Sequence, residues 1–340
     1  MLPPLTFFDA HNHVHMSAPG ELLPYHPHPT NPPCKRKGAE AHPIEDHAKN
    51  VSRFLSDISP ESQPYDDDER VRVGGMAVMS TQPRDFVAVN AICDELGSAG
   101  VVTIPCYGVH PWFLHEAEAD RPPAADASRR GAAGDDDDGD DGDDFWWEQC
   151  LTQSLLNRPN ACVGEIGLDS ARYDPATGAP FTPMPRQLRA LELQLRIATE
   201  LSRPVSIHAV RAWGPMLDLL NKRFGKKKGD KPPRMYFHAF GGKPSVVDQI
   251  DAACRGTSEV FYGFAPIINF RSPKTADVVR KIGIDRLLLE TDHENYLLVK
   301  DSLDANASFV AKALGMDKHE IIEKTTANAL RFYGQSTSEN

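Results

Sequence analysis

Eight short apolar runs punctuate this chain, and most are followed by a stretch patterned as helix before the next run begins. They fall at approximately 5–9, 75–79, 101–107, 161–166, 205–207, 235–237, 260–263 and 286–289. Strands alternating with amphipathic helices pack as a parallel sheet with its outer face covered, and eight such units close into a barrel. The expected fold is therefore α/β, a TIM (β/α)8 barrel occupying 1–340 as a single domain. The plainest helix is 185–201. There RQLRALELQLRIATEL sets Leu188, Leu191, Leu195 and Ala198 on one stripe at spacings of three and four, with Pro185 suited to the first turn.

Three irregular stretches interrupt the alternation: 16–50, rich in proline and histidine, then 116–144, and 223–234. A segment that follows a strand lies at the C-terminal, catalytic end of a barrel, whereas one that precedes a strand lies at the other end. The first two, insertions after strands 1 and 3, thus flank the candidate active site. The third does not.

Charge bears on which substrates such a barrel could draw in. The chain has 48 acidic and 37 basic residues, a net charge of -11, but eight aspartates lie between Asp135 and Asp144. Setting those aside leaves a body close to neutral, so bulk attraction of a polyanion is not built in. The run DDDDGDDGDD reads as a solvated loop. Lys222, Arg223, Lys226, Lys227, Lys228, Lys231 and Arg234 form the most basic cluster. By topology it faces away from the catalytic end and reads as a solvated loop, with a nuclear-import patch as the functional alternative. The six cysteines contain no CxxC pair, and MLPPLTFFDAH lacks the basic and apolar regions of a signal peptide. These features predict a cytoplasmic or nuclear protein with no membrane span.

The chemistry is carried by side chains at the ends of the apolar runs. FFDAHNH, VGEIGLD, VSIHA, MYFHAF and LLLETD supply His11, His13, Glu165, His208, His238 and Asp292. Residues two apart in a strand point the same way, so His11 and His13 project together. An isolated HxH is more often a pair of surface histidines, but four further candidates occupy equivalent strand ends. Glu165 closes an apolar VGEI, where a carboxylate is costly unless paired or ligated. Either it forms a buried salt bridge, with Arg172 or Arg186 as partner, or its two oxygens bridge two cations. His208 and His238 could each be a satisfied core histidine, yet two at matching strand ends favour ligation. Asp292 could bind a metal and accept a proton from water, while Glu290, on the same side and deeper, reads as a structural partner. His15, His26, His28, His42 and His47 read as surface histidines. The set points to a metallohydrolase.

DAHNH, GVHP, VGEIGLD, the Gln187 helix, the IH strand, FHAFGG, ETD and TTANALRFYG together resemble the TatD-related metal-dependent deoxyribonucleases, from about Leu5 to Gly334. The resemblance implies a barrel of the metallo-dependent hydrolase type that cleaves phosphodiesters, DNA above all, with one or two divalent ions (Zn, Mg or Mn). It implies that His11, His13 and Asp292 hold one ion, that Glu165 bridges, and that His208 and His238 hold the second. Asp292 is then the general base, with Glu165 also catalytic and His110 and Arg211 near the substrate phosphate. This chain departs from the family in three places. Val14 and His15 follow the HxH where an apolar residue and Asp are usual. Arg211 stands three residues, not two, after the strand-five histidine. His293, Glu294 and Asn295 follow ETD where a small residue and proline are usual. Two alternatives to a nuclease stay open: hydrolysis of a small ester, lactone or amide, and an interaction protein with a partner in the cell-cycle machinery, as in fungal relatives of this type.

Overall fold

The computed structural model describes residues 6–16, 44–56, 72–121 and 145–335. Eight strands form one sheet in sequence order: β1 (Thr6–Asn12), β2 (Arg72–Met79), β3 (Val102–Tyr107), β4 (Cys162–Asp169), β5 (Val205–Val210), β6 (Arg234–Phe237), β7 (Glu259–Phe264) and β8 (Leu287–Leu289). Every neighbouring pair from β1 to β8 is parallel. Just beyond β8 the chain returns to β1, where Asp292 N–H donates to the His11 carbonyl (3.0 Å) and His13 N–H to the His293 carbonyl (2.9 Å). The sheet thus curls into a nearly closed TIM barrel, as the strand count predicts.

Alternation along each strand divides the core in two. Phe7, Met235, Phe237, Leu287 and Leu289 face outward and pack under the helices. Phe8, Tyr236 and Leu288, one residue out of phase, fill the interior with Ala77, Met79, Ile104, Cys106, Cys162 and Phe261. The helices follow their strands: α1 (Ile44–Ser56), α2 (Phe86–Ser98), α3 (Leu114–Ala119), α4 (Trp147–Asn157), α5 (Met184–Glu200), α6 (Trp213–Lys222), α7 (Pro244–Cys254), α8 (Pro266–Asn269), α9 (Thr275–Ile282), α10 (Val299–Leu314) and α11 (Lys318–Tyr333). From the end of α11, Phe332 and Tyr333 join the interior cluster, and the Tyr333 hydroxyl donates to the Ala10 carbonyl at 2.7 Å. None of the described helices is long and apolar enough to cross a membrane.

Several expectations need correction. Residues 44–50, assigned to the first irregular stretch, begin α1, because Ala48, Val51 and Leu55 recur at three and four and are buried. Its many charged residues mask that stripe in the sequence. Likewise Glu116 to Ala119 belong to α3 rather than to a loop. Residues 17–43 and 122–144, including Asp135 to Asp144 and His26, His28 and His42, lie outside the described residues. Neither His15 nor His47 lies free at the surface: His15 is half-buried with its side chain 3% exposed, and His47 is buried, its Nε2 2.9 Å from the Val14 carbonyl. In the basic loop, Lys231 is buried, its ammonium donating to the Gly225 carbonyl at 2.6 Å.

Candidate metal centre

Three of the four rings at the C-terminal end of the barrel, His11, His13 and His208, are oriented by a hydrogen bond on the nitrogen turned away from the centre. The His13 Nδ1 lies 3.2 Å from the Met79 carbonyl, which can only accept, so Nδ1 carries the proton and Nε2 presents its lone pair. His208 is oriented the other way round. Its Nε2 lies 2.8 Å from Asp169 Oδ2, leaving Nδ1 as the free acceptor. His11 Nδ1 meets the Ser206 hydroxyl at 3.0 Å. His238 has no hydrogen-bond partner on Nδ1 among the described residues; Glu290 Oε2 is 4.0 Å away.

The inward nitrogens converge on Glu165, whose two oxygens divide them. Oε2 lies 3.0 Å from His13 Nε2 and 3.4 Å from His11 Nε2. Oε1 lies 2.6 Å from His238 Nε2 and 3.0 Å from His208 Nδ1. Asp292 Oδ1 closes the first group at 3.8 Å from His11 and 3.7 Å from His13. Neither predicted salt-bridge partner reaches Glu165: Arg186 pairs with Glu118 at 2.7 Å, and Arg172 lies over the Trp112 ring. Glu165 also stands inside β4 rather than at its end, since the strand runs on to Asp169. Gly167 permits this close passage. It has a φ of 157°, and a Cβ there would stand 1.9 Å from the His208 carbonyl oxygen.

This donor set fits a divalent cation on its own chemistry. His11 and His13 aim Nε2 atoms at each other across 3.3 Å, and His238 Nε2 faces His208 Nδ1 across 3.4 Å. Lone pairs so close, on rings that are largely buried, need a proton or a cation between them. Four imidazoles with two carboxylates suit zinc or manganese by softness and admit magnesium through the carboxylates.

Without an ion, protons do that work. Burial pushes the Glu165 carboxyl up, but the surrounding imidazoles, His110, His238 and His11, hold it well below the usual carboxylate range. Burial alone would lower His13, yet the hydrogen bond and charge of Glu165 raise it to about 9. Against the same penalty, Asp169 and then Glu165 raise His208 to about 10. Both rings therefore carry a proton at neutral pH that an entering cation must displace. Metal affinity is expected to fall as the pH falls, by about tenfold per pH unit for each displaced proton. Competitive titration between pH 8 and 6 measures this, and an affinity independent of pH would refute it.

Supports beneath the candidate ligands are polar and largely buried. Asp169 Oδ2 accepts from Trp112 Nε1 (2.7 Å) as well as from His208, and Gln187 of α5 bonds both its backbone N–H (2.8 Å) and its carbonyl (3.0 Å). Burial opposes ionisation, but the hydrogen bond to His208 and those from Ala171 and Trp112 hold the Asp169 carboxyl down at about 2. Asp169→Ala is expected to weaken metal binding about 10- to 100-fold, read by chelator competition. Asp9 accepts from the Thr291 amide (3.0 Å) and hydroxyl (2.8 Å), tying β1 to the end of β8, and burial raises it to about 7. Glu290 accepts from the Tyr236 hydroxyl and from the Ala239 amide, as a structural partner would. Asp292 holds a left-handed backbone (φ 57°), which its N–H bond to the His11 carbonyl pins in place.

The two expected substrate contacts fare differently. His110 is buried, with Nε2 3.3 Å from Glu165 Oε1, while its Nδ1 accepts from the Trp112 amide at 3.1 Å. Nε2 therefore carries the proton in the neutral ring, which makes His110 a donor toward the centre rather than a ligand. Arg211 is exposed just beyond β5, in a left-handed conformation (φ 51°), and forms no ion pair with the cluster among the described residues. Asp169, Ser206, Trp112 and Asp9 were not singled out from the sequence. Strand alternation could have found two of them, since Asp169 shares parity with Glu165 and Ser206 with His208.

A parallel barrel that gathers imidazoles and carboxylates at its C-terminal mouth is the architecture of the metal-dependent hydrolases. Residues 26–334 match the family described as TatD related DNase, and the chain belongs to that family. The match begins after β1, so His11 and His13 join the site through the structure. Cut9-interacting protein scn1 of Schizosaccharomyces pombe is 24% identical over 76% of this chain and 91% of that protein. Human Deoxyribonuclease TATDN3 is 27% identical over 50% of this chain and 59% of that one. The crystal structure of YJJV, a TatD homolog from Escherichia coli, superposes over 78% of this chain and 88% of its own, with a TM-score of 0.56 and 22% identity, a likeness of fold.

Proposed function

We propose that the protein is a divalent-metal-dependent deoxyribonuclease, with His11, His13 and Asp292 holding one ion, His208 and His238 a second, and Glu165 bridging them. The observation that carries this reading is the division of Glu165: one oxygen for the β1 pair, the other for the β5 and β6 pair. Bound there, zinc, manganese or magnesium supplies positive charge against the non-bridging phosphate oxygens and lowers the pKa of a nearby water. Asp292 accepts the proton. Burial raises its pKa, and a more basic carboxylate is the better acceptor. His110 directs its Nε2–H toward the charge that builds on phosphorus oxygens.

An interaction role is the second reading, supported by the name of the S. pombe relative that the chain matches over most of its length. The intact ligand set supports metal chemistry alongside it. A reducing compartment, cytoplasm or nucleus, fits the five described cysteines, which are all free thiols.

The test is hydrolysis of single- and double-stranded DNA and of bis(p-nitrophenyl) phosphate by chelator-stripped protein, then by the same protein reloaded with Zn²⁺, Mn²⁺ or Mg²⁺. Stripped protein should be inert and at least one ion should restore cleavage. Cleavage insensitive to chelation, or none from fully loaded protein, would overturn the reading.

A further inference from the structure

The loop after β4 carries a cation that the reaction above does not use. Arg172 is half-buried three residues beyond the strand, its guanidinium carbon 5.0 Å from the Trp112 ring centre and 5.3 Å from that of Phe181. Phe181 stacks in turn on His115, with centres 5.1 Å apart and planes 24° from parallel. Carboxylates close in sequence to Trp112 and Arg172 have partners of their own. Glu118 pairs with Arg186 (2.7 Å), Glu116 with Arg84 (2.9 Å), and Asp174 accepts from Ala176 N (2.8 Å) and Thr177 Oγ1 (2.9 Å). Among the described residues, none forms a salt bridge or hydrogen bond with the Arg172 side chain. A guanidinium engaged through aromatic faces keeps its N–H donors available at the edge, in the fork geometry that matches a phosphate.

Its place in the fold says which phosphate. Both Arg172 and Trp112 lie on loops that follow strands, hence at the catalytic mouth. The Trp112 ring centre is 5.8 Å from that of His208, and Trp112 Nε1 shares Asp169 with it. Trp112 therefore links Arg172 to the ligand cluster without admitting the guanidinium to it. The group bound at the cluster is served by His110; Arg172 is set back by one aromatic ring, a separation that one or two nucleotides can span.

We propose that Arg172 binds a phosphate flanking the scissile one, so that the substrate class is a nucleic-acid strand with at least two phosphates rather than an isolated phosphodiester. This rests on the phosphodiesterase reading above. The Trp112 and Phe181 rings preorganise the fork, and its two parallel N–H···O bonds favour a phosphate over a single carbonyl.

The experiment compares a thymidine dinucleotide carrying an added terminal phosphate with the same dinucleotide lacking it, using the metal-loaded full chain. Wild type should hydrolyse the phosphorylated form with the higher kcat/KM, mainly through a lower KM, and Arg172→Ala should reduce that preference about tenfold or more. Arg172→Lys, which keeps the charge and loses the planar fork, should retain part of it. Bound metal per chain reports on folding, and should Arg172→Ala lose metal, the Lys variant carries the comparison. A preference undiminished in the variants, or equal rates on both substrates for wild type, overturns the role of Arg172 alone. Failure of wild type to cleave either substrate overturns the phosphodiesterase reading, and this inference with it.

Discussion

Glu165→Ala is expected to leave less than one bound divalent ion per chain by elemental analysis and to lower phosphodiester hydrolysis by at least about a thousandfold, some 4 kcal/mol of transition-state stabilisation. The reason is that one side chain faces both histidine pairs, with contacts of 2.6 Å to 3.4 Å. Its removal also takes away the charge that raises His13 and contributes to raising His208, so both rings should titrate lower in the variant. Glu165→Gln makes the sharper control. It keeps the volume while losing the charge, so metal content near wild type in that variant would contradict a bridging carboxylate.

Asp292→Asn addresses the other half of the site. Asp292 is the less enclosed of the two acids, with 12% of its side chain exposed against 3% for Glu165. That greater exposure suits a group that must meet water and substrate. The amide keeps an oxygen for a metal but cannot take a proton, so kcat is expected to fall about 10²- to 10⁴-fold. Bound metal should fall far less than in Glu165→Ala. A kcat within a few-fold of wild type would remove Asp292 from the role of base, and parallel losses of metal and kcat would make it a ligand only.

Much of the fold was legible because its cause is periodic. Every strand found lies within a few residues of an apolar run, and α5 begins and ends within one residue of the helix read from RQLRALELQLRIATEL. Legibility failed where periodicity was masked by charge. The stripe of α1 is hidden among Glu45, Asp46, Lys49 and Arg53, and α3 is too short to show a period. A similar limit applied to β4. The sequence marks an apolar run ending near Glu165, but glycines let the strand continue past the carboxylate to Asp169.

The site divides in the same way. Residue type and strand position alone nominate His11, His13, Glu165, His208, His238 and Asp292, because a buried histidine or carboxylate at a strand end demands a partner that the strand itself lacks. Sequence can register that demand locally. It cannot say who answers it, since Asp169 and Trp112 are 57 residues apart and Ser206 and His11 are 195 apart. Nor does local sequence distinguish Arg172 from Arg211, two arginines just past strand ends. Only closure of the barrel sets one against aromatic rings near His208 and leaves the other exposed, because those relations run between loops that never meet along the chain.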